Sequence, residues 1–274
     1  MFPPSRPPAA LAGRLRLDGA WTHVASRSYG TVIHRVDGRR HAFYVKTTPP
    51  RRDNDLRFHP GSEAERLQWL AARGFPVAEV VDVGGDDELM WLVTTAVEGR
   101  SAAGPWATHE RPVVLDVVAD VVRALHELPL TDCPFDRTLA VTLPLARLAA
   151  EMGWIDLDDL DPQHRGWSAR QLLDELTATP PPAVEDLVVC HGDPCLDNFL
   201  VAPDTLALTG ILDVGRLGAA DRWKDLAIAV RDVTEQCADE GDEGQAAAAR
   251  FLARYGARPD AGKDRFYRLL DEFV

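Results

Sequence analysis

Positive charge, cysteine and long apolar runs are all scarce in this chain, and each shortage removes a class of function. Against 43 Asp and Glu stand 30 Lys and Arg, a formal charge of -13. Nucleic acid and anionic membrane surfaces are bound by clustered Lys and Arg, so neither is expected as a partner. The four cysteines, Cys133, Cys190, Cys195 and Cys237, lack zinc-finger spacing, and Cys190 with Cys195 is no CxxC pair. A reduced, cytoplasmic protein with structural thiols is the reading that follows. No stretch approaches the roughly 18 uninterrupted apolar residues of a membrane span. There is no internal repeat and no GxGxxG motif. Residues 1–10 are rich in proline and carry no apolar segment followed by a cleavage site, so residues 1–20 read as a disordered lead rather than a signal peptide.

What remains is an ordinary globular composition, 274 residues with 46% hydrophobic and 27% charged, enough for one large domain or two lobes. Its acidity either aids solubility or attracts cationic ligands.

Residues 21–45 alternate short strands with turns. Asp37-Gly38 between the apolar runs 31–36 and 41–45 is a hairpin signal. Just before it, Ser26-Arg27-Ser28-Tyr29-Gly30 reads as an ordinary turn or as a loop covering phosphates through its backbone N–H groups. Lys46 ends the second hairpin strand. A helix then begins with Ser62 as N-cap and Glu65 at the capping-box position, which leaves Glu63 able to reach Lys46; by itself Glu63 also suits a helix first turn. Apolar runs at 77–83 and 90–97 make a second antiparallel pair. Five strands with one helix form a complete small lobe, residues 21–97, and residues 98–274 are expected to be mainly helical.

In that second part, Val114, Val117, Val118, Val121, Val122 and Leu125 recur at helical spacing within 111–128, and His126 reads as a capping or core histidine. Further helices are expected at 143–151, 168–177 (with Ser168 as cap), 222–237, 246–255 and 264–274. The run Asp156-Leu157-Asp158-Asp159-Leu160-Asp161 is a solvated face or a cation-binding loop.

The densest chemistry is His191-Gly192-Asp193-Pro194-Cys195-Leu196-Asp197-Asn198, followed by Ile211-Leu212-Asp213-Val214-Gly215. Each block closes a short apolar run and so reads as a strand end carrying oxygen ligands and a candidate base. Phosphoryl transfer from a nucleotide needs metal ions on the phosphates, a cation on the non-transferring phosphates and an acceptor aligned by a carboxylate. Lys46, Glu63, Asp193, Asn198 and Asp213 supply these in the order that protein kinases use. A metal-dependent hydrolase built on His191 and Asp193 has no use for Lys46 and Glu63. A nucleotide-binding pseudoenzyme is expected to lose at least one of Lys46, Asp193, Asn198 and Asp213.

The chain resembles the aminoglycoside phosphotransferase family over nearly its whole length after the first twenty residues. The resemblance rests on Glu63-Ala64-Glu65-Arg66-Leu67-Gln68-Trp69-Leu70, Ala124-Leu125-His126-Glu127-Leu128-Pro129 and Asp186-Leu187-Val188-Val189-Cys190-His191-Gly192-Asp193. More specific still are Asp213-Val214-Gly215-Arg216-Leu217-Gly218-Ala219-Ala220-Asp221-Arg222 and Phe266-Tyr267-Arg268-Leu269-Leu270-Asp271-Glu272-Phe273. The last block points to the 3'-phosphotransferase branch, with the streptomycin 3''-phosphotransferase branch as the alternative and a small-metabolite kinase behind it.

The resemblance implies an α+β, two-lobed protein-kinase-like fold, ATP (or GTP) with Mg2+, and a monomer or weak dimer. By the same resemblance Asp193 orients or deprotonates an antibiotic hydroxyl, and Asn198 and Asp213 hold Mg2+. Lys46, steadied by Glu63, contacts the phosphates under the loop carrying Ser28, and the backbone of Thr95 and Val97 faces the adenine at the hinge. A cationic aminoglycoside would meet a pocket of Asp159, Asp161, Arg216, Arg231, Asp232, Glu235, Asp271 and Glu272. Pro162, Gln163, Asp197 and Val274 depart from the family pattern and bear on which antibiotics are accepted.

Overall fold

Asp37-Gly38 does sit at a hairpin, between β2 (Val32–Gly38) and β3 (Ala42–Thr48), paired in antiparallel register from Val32 opposite Thr47 to Asp37 opposite Ala42. The computed structural model describes residues 17, 19–27, 30–50, 58–237 and 243–273. The chain divides into two compact units, Met1–Val97 and Glu98–Val274.

In the N-terminal unit, β1 (Gly19–Ser26), β4 (Val80–Gly85) and β5 (Met90–Thr95) complete an antiparallel sheet in the order β1-β2-β3-β5-β4. β1 begins at Gly19, so the last residues of the expected lead belong to the sheet. One face buries Val36, Val45, Trp91 and Val93, with Trp21 and Phe43 against them. Gly84 is required on β4, because a side chain there would come within 2.7 Å of the Trp91 ring. Helix α1 (Pro60–Ala71) turns Ala64, Leu67 and Leu70 inward. Its N-cap is His59, whose side chain accepts from the Ser62 N–H, and this corrects the expected Ser62 cap. Pro60 sets the helical φ at the first position, so the helix starts earlier.

The C-terminal unit is mainly helical, as expected. It holds α2 (Arg111–His126), α3 (Leu139–Met152), α4 (Ala169–Ala178), α5 (Arg222–Gln236), α6 (Glu243–Tyr255) and α7 (Ala261–Asp271). Among the described residues five short strands accompany them: β6 (Arg100–Ser101), β7 (Leu187–Cys190), β8 (Phe199–Val201), β9 (Leu208–Ile211) and β10 (Gly218–Asp221). β7 pairs with β10, and β8 lies between β6 and β9. Runs of two to four residues are too short to show strand alternation, which is why sequence periodicity misses most of them.

Helix α5 is the hub of this unit, with Leu226, Ala227, Ile228, Ala229 and Val233 buried. α6 and α7 pack on it, and α2 packs on α6 through an apolar stripe that includes Val114, Val118, Val122 and Leu125. α4 carries the expected capping box: Ser168 Oγ accepts from the Gln171 N–H, and Gln171 returns the bond to the Ser168 N–H. Among the described residues no helix is long and apolar enough to cross a membrane.

Candidate active site

In the N-terminal unit the strand lysine meets its helix partner. Lys46 Nζ donates to both Glu63 oxygens, at 2.8 and 3.1 Å. The side chains are 17% and 5% exposed, so this is a charge-assisted pair in low dielectric rather than a surface bridge. The Phe58 ring lies 5.4 Å from the ammonium. The Thr95 N–H donates to the Glu79 carbonyl and its hydroxyl accepts from the Glu79 N–H. Val97 follows β5, half-buried. Ser28 lies outside the described residues. One group that the sequence did not single out is His34 on β2, buried with neither ring nitrogen hydrogen-bonded. Burial, and the nearby His23, hold its pKa below the ordinary value.

In the C-terminal unit, β7 delivers the His191–Asn198 loop. Gly192 has φ +92°, and a Cβ there would lie 2.4 Å from the Arg216 carbonyl oxygen, so only glycine fits. His191 Nδ1 accepts from the Asp193 N–H, which places the ring proton on Nε2, facing the Leu212 carbonyl at 3.0 Å. The Asp193 carboxylate is half-buried, and Asn198 Nδ2 donates to the Asp193 carbonyl at 2.8 Å. The Leu212 N–H donates to the Asn198 carbonyl, bringing the next residue, Asp213, beside the same turn. Asp213 has φ 52° and ψ 45°, a left-handed conformation that costs a non-glycine residue about 1–2 kcal/mol and recurs where function demands it.

What fixes this loop is Asp225, on α5. It is fully buried, its oxygens accept from the His191 N–H at 2.6 Å and the Gly192 N–H at 2.8 Å, and His126 Nε2 lies 3.0 Å away. The Arg222 guanidinium donates to the Tyr255 hydroxyl, the hydroxyl donates to His126 Nδ1, and the His126 Nε2–H is thereby directed at Asp225. Burial alone would raise the Asp225 pKa; these donors hold it below the usual carboxylate range. His126 is therefore a core histidine, as expected, with a structural task. Asp225 itself went unnoticed, although a carboxylate on the stripe of Ala229 and Val233 is the signal that could have found it. His126, Cys190 and Asp225 lie within metal-ligand distance of one another. Their donors and acceptors are already satisfied, Cys190 through its thiol to the Asp221 carbonyl, so this is a hydrogen-bonded core rather than a metal centre.

The residues expected to line a cationic-substrate pocket differ in how far their charges are already paired. The Asp161 side chain has no exposed surface; it accepts from Arg268 and from the Gln163 N–H, and these partners overcome burial to lower its pKa. Asp271 is paired with Arg216 at 3.3 Å and Arg231 at 3.0 Å, so both arginines face an acid. Glu272 is held by His164 and by the Asp161 N–H, with its pKa pushed up by burial. Asp232 accepts from the Leu196 N–H at 2.6 Å, and burial raises its pKa. Asp159 and Glu235 are exposed. Of the departing residues, Asp197 accepts from the Ser101 hydroxyl at 2.6 Å, while Val274 lies outside the described residues.

A strand lysine gripped by a helix glutamate in one unit, and an aspartate, an amide and a second aspartate on adjoining turns in the other, are the parts of a phosphotransferase of protein-kinase type. The chain belongs to the phosphotransferase enzyme family, whose pattern matches residues 21–267. It is 46% identical over 261 residues to an aminoglycoside 3'-phosphotransferase of Streptomyces fradiae, covering 92% of this chain and 94% of that one. Among solved structures it superposes on an aminoglycoside-3'-phosphotransferase of type VIII with a TM-score of 0.83, at 41% identity over 97% of each chain. It also superposes on the aminoglycoside phosphotransferase APH(3'')-Id of Streptomyces rimosus, in complex with ADP and streptomycin, with a TM-score of 0.81 at 33% identity over 97% of each chain. The fold is accordingly the kinase-like fold of these enzymes.

Proposed function

We propose that the protein transfers the γ-phosphoryl group of ATP to a hydroxyl of an aminoglycoside antibiotic, and that the acceptor is the 3'-hydroxyl of kanamycin- and neomycin-type compounds. The observation that carries the reading is the Asp193 loop: a half-buried carboxylate on a backbone clamped by Asp225, beside Asn198 and Asp213. The similarity to the Streptomyces fradiae enzyme supports the 3' position over the 3'' alternative.

In this reading the acceptor oxygen bonds to the γ-phosphorus, the bond from that phosphorus to the bridging oxygen breaks, and ADP leaves. The hydroxyl proton passes to Asp193. Lys46, oriented by Glu63, supplies the cation for the non-transferring phosphates. Asn198 Oδ1 and the Asp213 carboxylate are hard oxygen donors of the kind that Mg2+ selects, so the residues present fit that ion. When bound, Mg2+ neutralises charge on the phosphates. Asp159, Asp232 and Glu235 are the carboxylates least engaged with basic side chains, and they are the first candidates to receive substrate ammonium groups. The other expected pocket residues, Asp161, Arg216, Arg231, Asp271 and Glu272, would act as the paired wall behind them. Use of ATP accords with a cytoplasmic location.

The test is ADP release by the purified protein with ATP and Mg2+ against kanamycin, neomycin, streptomycin and homoserine. Turnover of kanamycin and neomycin is expected. Turnover confined to streptomycin would move the assignment to the 3'' branch, and turnover of none would overturn the enzymatic reading.

A further inference from the structure

The Asp193 backbone is firmly held, through its N–H to His191 and its carbonyl from Asn198. Those bonds fix where the side chain starts and leave the carboxylate free to turn. Among the described residues one donor reaches that carboxylate: the Cys195 thiol, with Sγ 3.2 Å from Oδ1. The thiol is itself delivered by a rigid piece of chain. The Asn198 N–H closes a 3-10 turn onto the Cys195 carbonyl, and the next residue, Leu196, is pinned by its N–H to Asp232.

The same surroundings decide the protonation of the sulfur. Burial first, and then the neighbouring Asp193, Asp232 and Asp271, push the Cys195 thiol well above its usual range. It is therefore an S–H donor and not a thiolate nucleophile. An S–H is a weaker donor than an N–H or O–H, so its effect is limited, but a single donor suffices to choose which oxygen is engaged.

We propose that Cys195 is a positioning residue for phosphoryl transfer: its thiol holds Oδ1 of Asp193 and so turns Oδ2 toward the acceptor hydroxyl. The proposal rests on the reading of Asp193 as the base. It predicts an effect on the chemical step rather than on binding, because the thiol need not touch either substrate.

The experiment uses the full chain and the aminoglycoside it turns over fastest. Cys195→Ala is expected to lower kcat about three- to tenfold, the size of one modest hydrogen bond, with both KM values unchanged. Cys195→Ser, which keeps a donor, is expected to recover at least half of the loss. Full kcat in the alanine variant, an equal loss in both variants, or an effect confined to KM would overturn the proposal. A second measurement needs no turnover: the infrared S–H stretch of Cys195, assigned by its disappearance in Cys195→Ala, is expected at the low frequency of a hydrogen-bonded thiol and to rise in Asp193→Ala. A band unmoved by Asp193→Ala would refute the contact. Should Asp193→Ala retain turnover, the base assignment fails, while the infrared result still decides whether the thiol holds the carboxylate.

Discussion

The two units support their functional side chains in opposite ways. In the N-terminal unit one ion pair does it: Lys46 on a strand and Glu63 on the following helix, 17 residues apart in sequence. In the C-terminal unit, among the described residues, the His191–Asn198 loop is held instead from a distant helix. Asp225, more than thirty residues downstream, gathers two loop N–H groups and His126. A side-chain pair orients one charge, whereas a carboxylate that binds backbone N–H groups sets the path of the chain and thus every side chain on it. A pair of this kind is readable from sequence; of a clamp of this kind the sequence shows a carboxylate on a buried stripe and not the N–H groups that it binds.

The comparison predicts unequal damage. Asp225→Ala leaves two loop N–H groups and His126 without their acceptor in the interior, and it is expected to cost about 3–5 kcal/mol. A fall of roughly 10 °C in Tm measures it. Stability unchanged within a degree would show that the clamp is redundant.

Lys46→Met is expected to cost less in stability and more in nucleotide use. It should lower kcat/KM for ATP roughly 100-fold, the scale of one lost charge contact to the transition state. In the double-mutant cycle with Glu63→Gln, a coupling of about 1–3 kcal/mol is expected in thermal or chemical unfolding. A coupling near zero would mean that the two residues do not support each other.

The smallest effect concerns His34, the orphaned group of the N-terminal sheet. Its folded pKa lies below the unfolded value, so the unfolded chain binds the extra proton as pH falls below about 6.5. Stability should therefore decline from pH 6.5 toward the lowered folded pKa. His34→Leu is expected to flatten that decline and to add about 1 kcal/mol at pH 5, because no buried polar ring is left unsatisfied. An unchanged pH slope would assign the dependence to other groups.

Legibility followed the range of the interactions. The Asp37-Gly38 hairpin, Lys46 and its partner Glu63 were readable because they lie on regular elements close in sequence, even though His59 and not Ser62 caps the helix. Asp193, Asn198 and Asp213 stood out by residue type and spacing, and the fold brings them onto adjoining turns. Their support did not stand out, since Asp225 and His126 come from two distant helices. The acidic segment is the sharpest case: Asp159 is exposed, while two residues on Asp161 is sealed against Arg268. Sequence reports that both are carboxylates, and only the fold shows which charge is already matched.

The central claim is that Asp193 serves the chemistry of an aminoglycoside kinase. It is tested most directly by comparing ADP release with kanamycin for the wild type and Asp193→Ala, with nucleotide binding measured on the same samples. The account predicts a loss of roughly 100- to 10,000-fold in kcat, the range of a positioned base, with nucleotide still bound. Turnover near the wild-type rate in Asp193→Ala would contradict it.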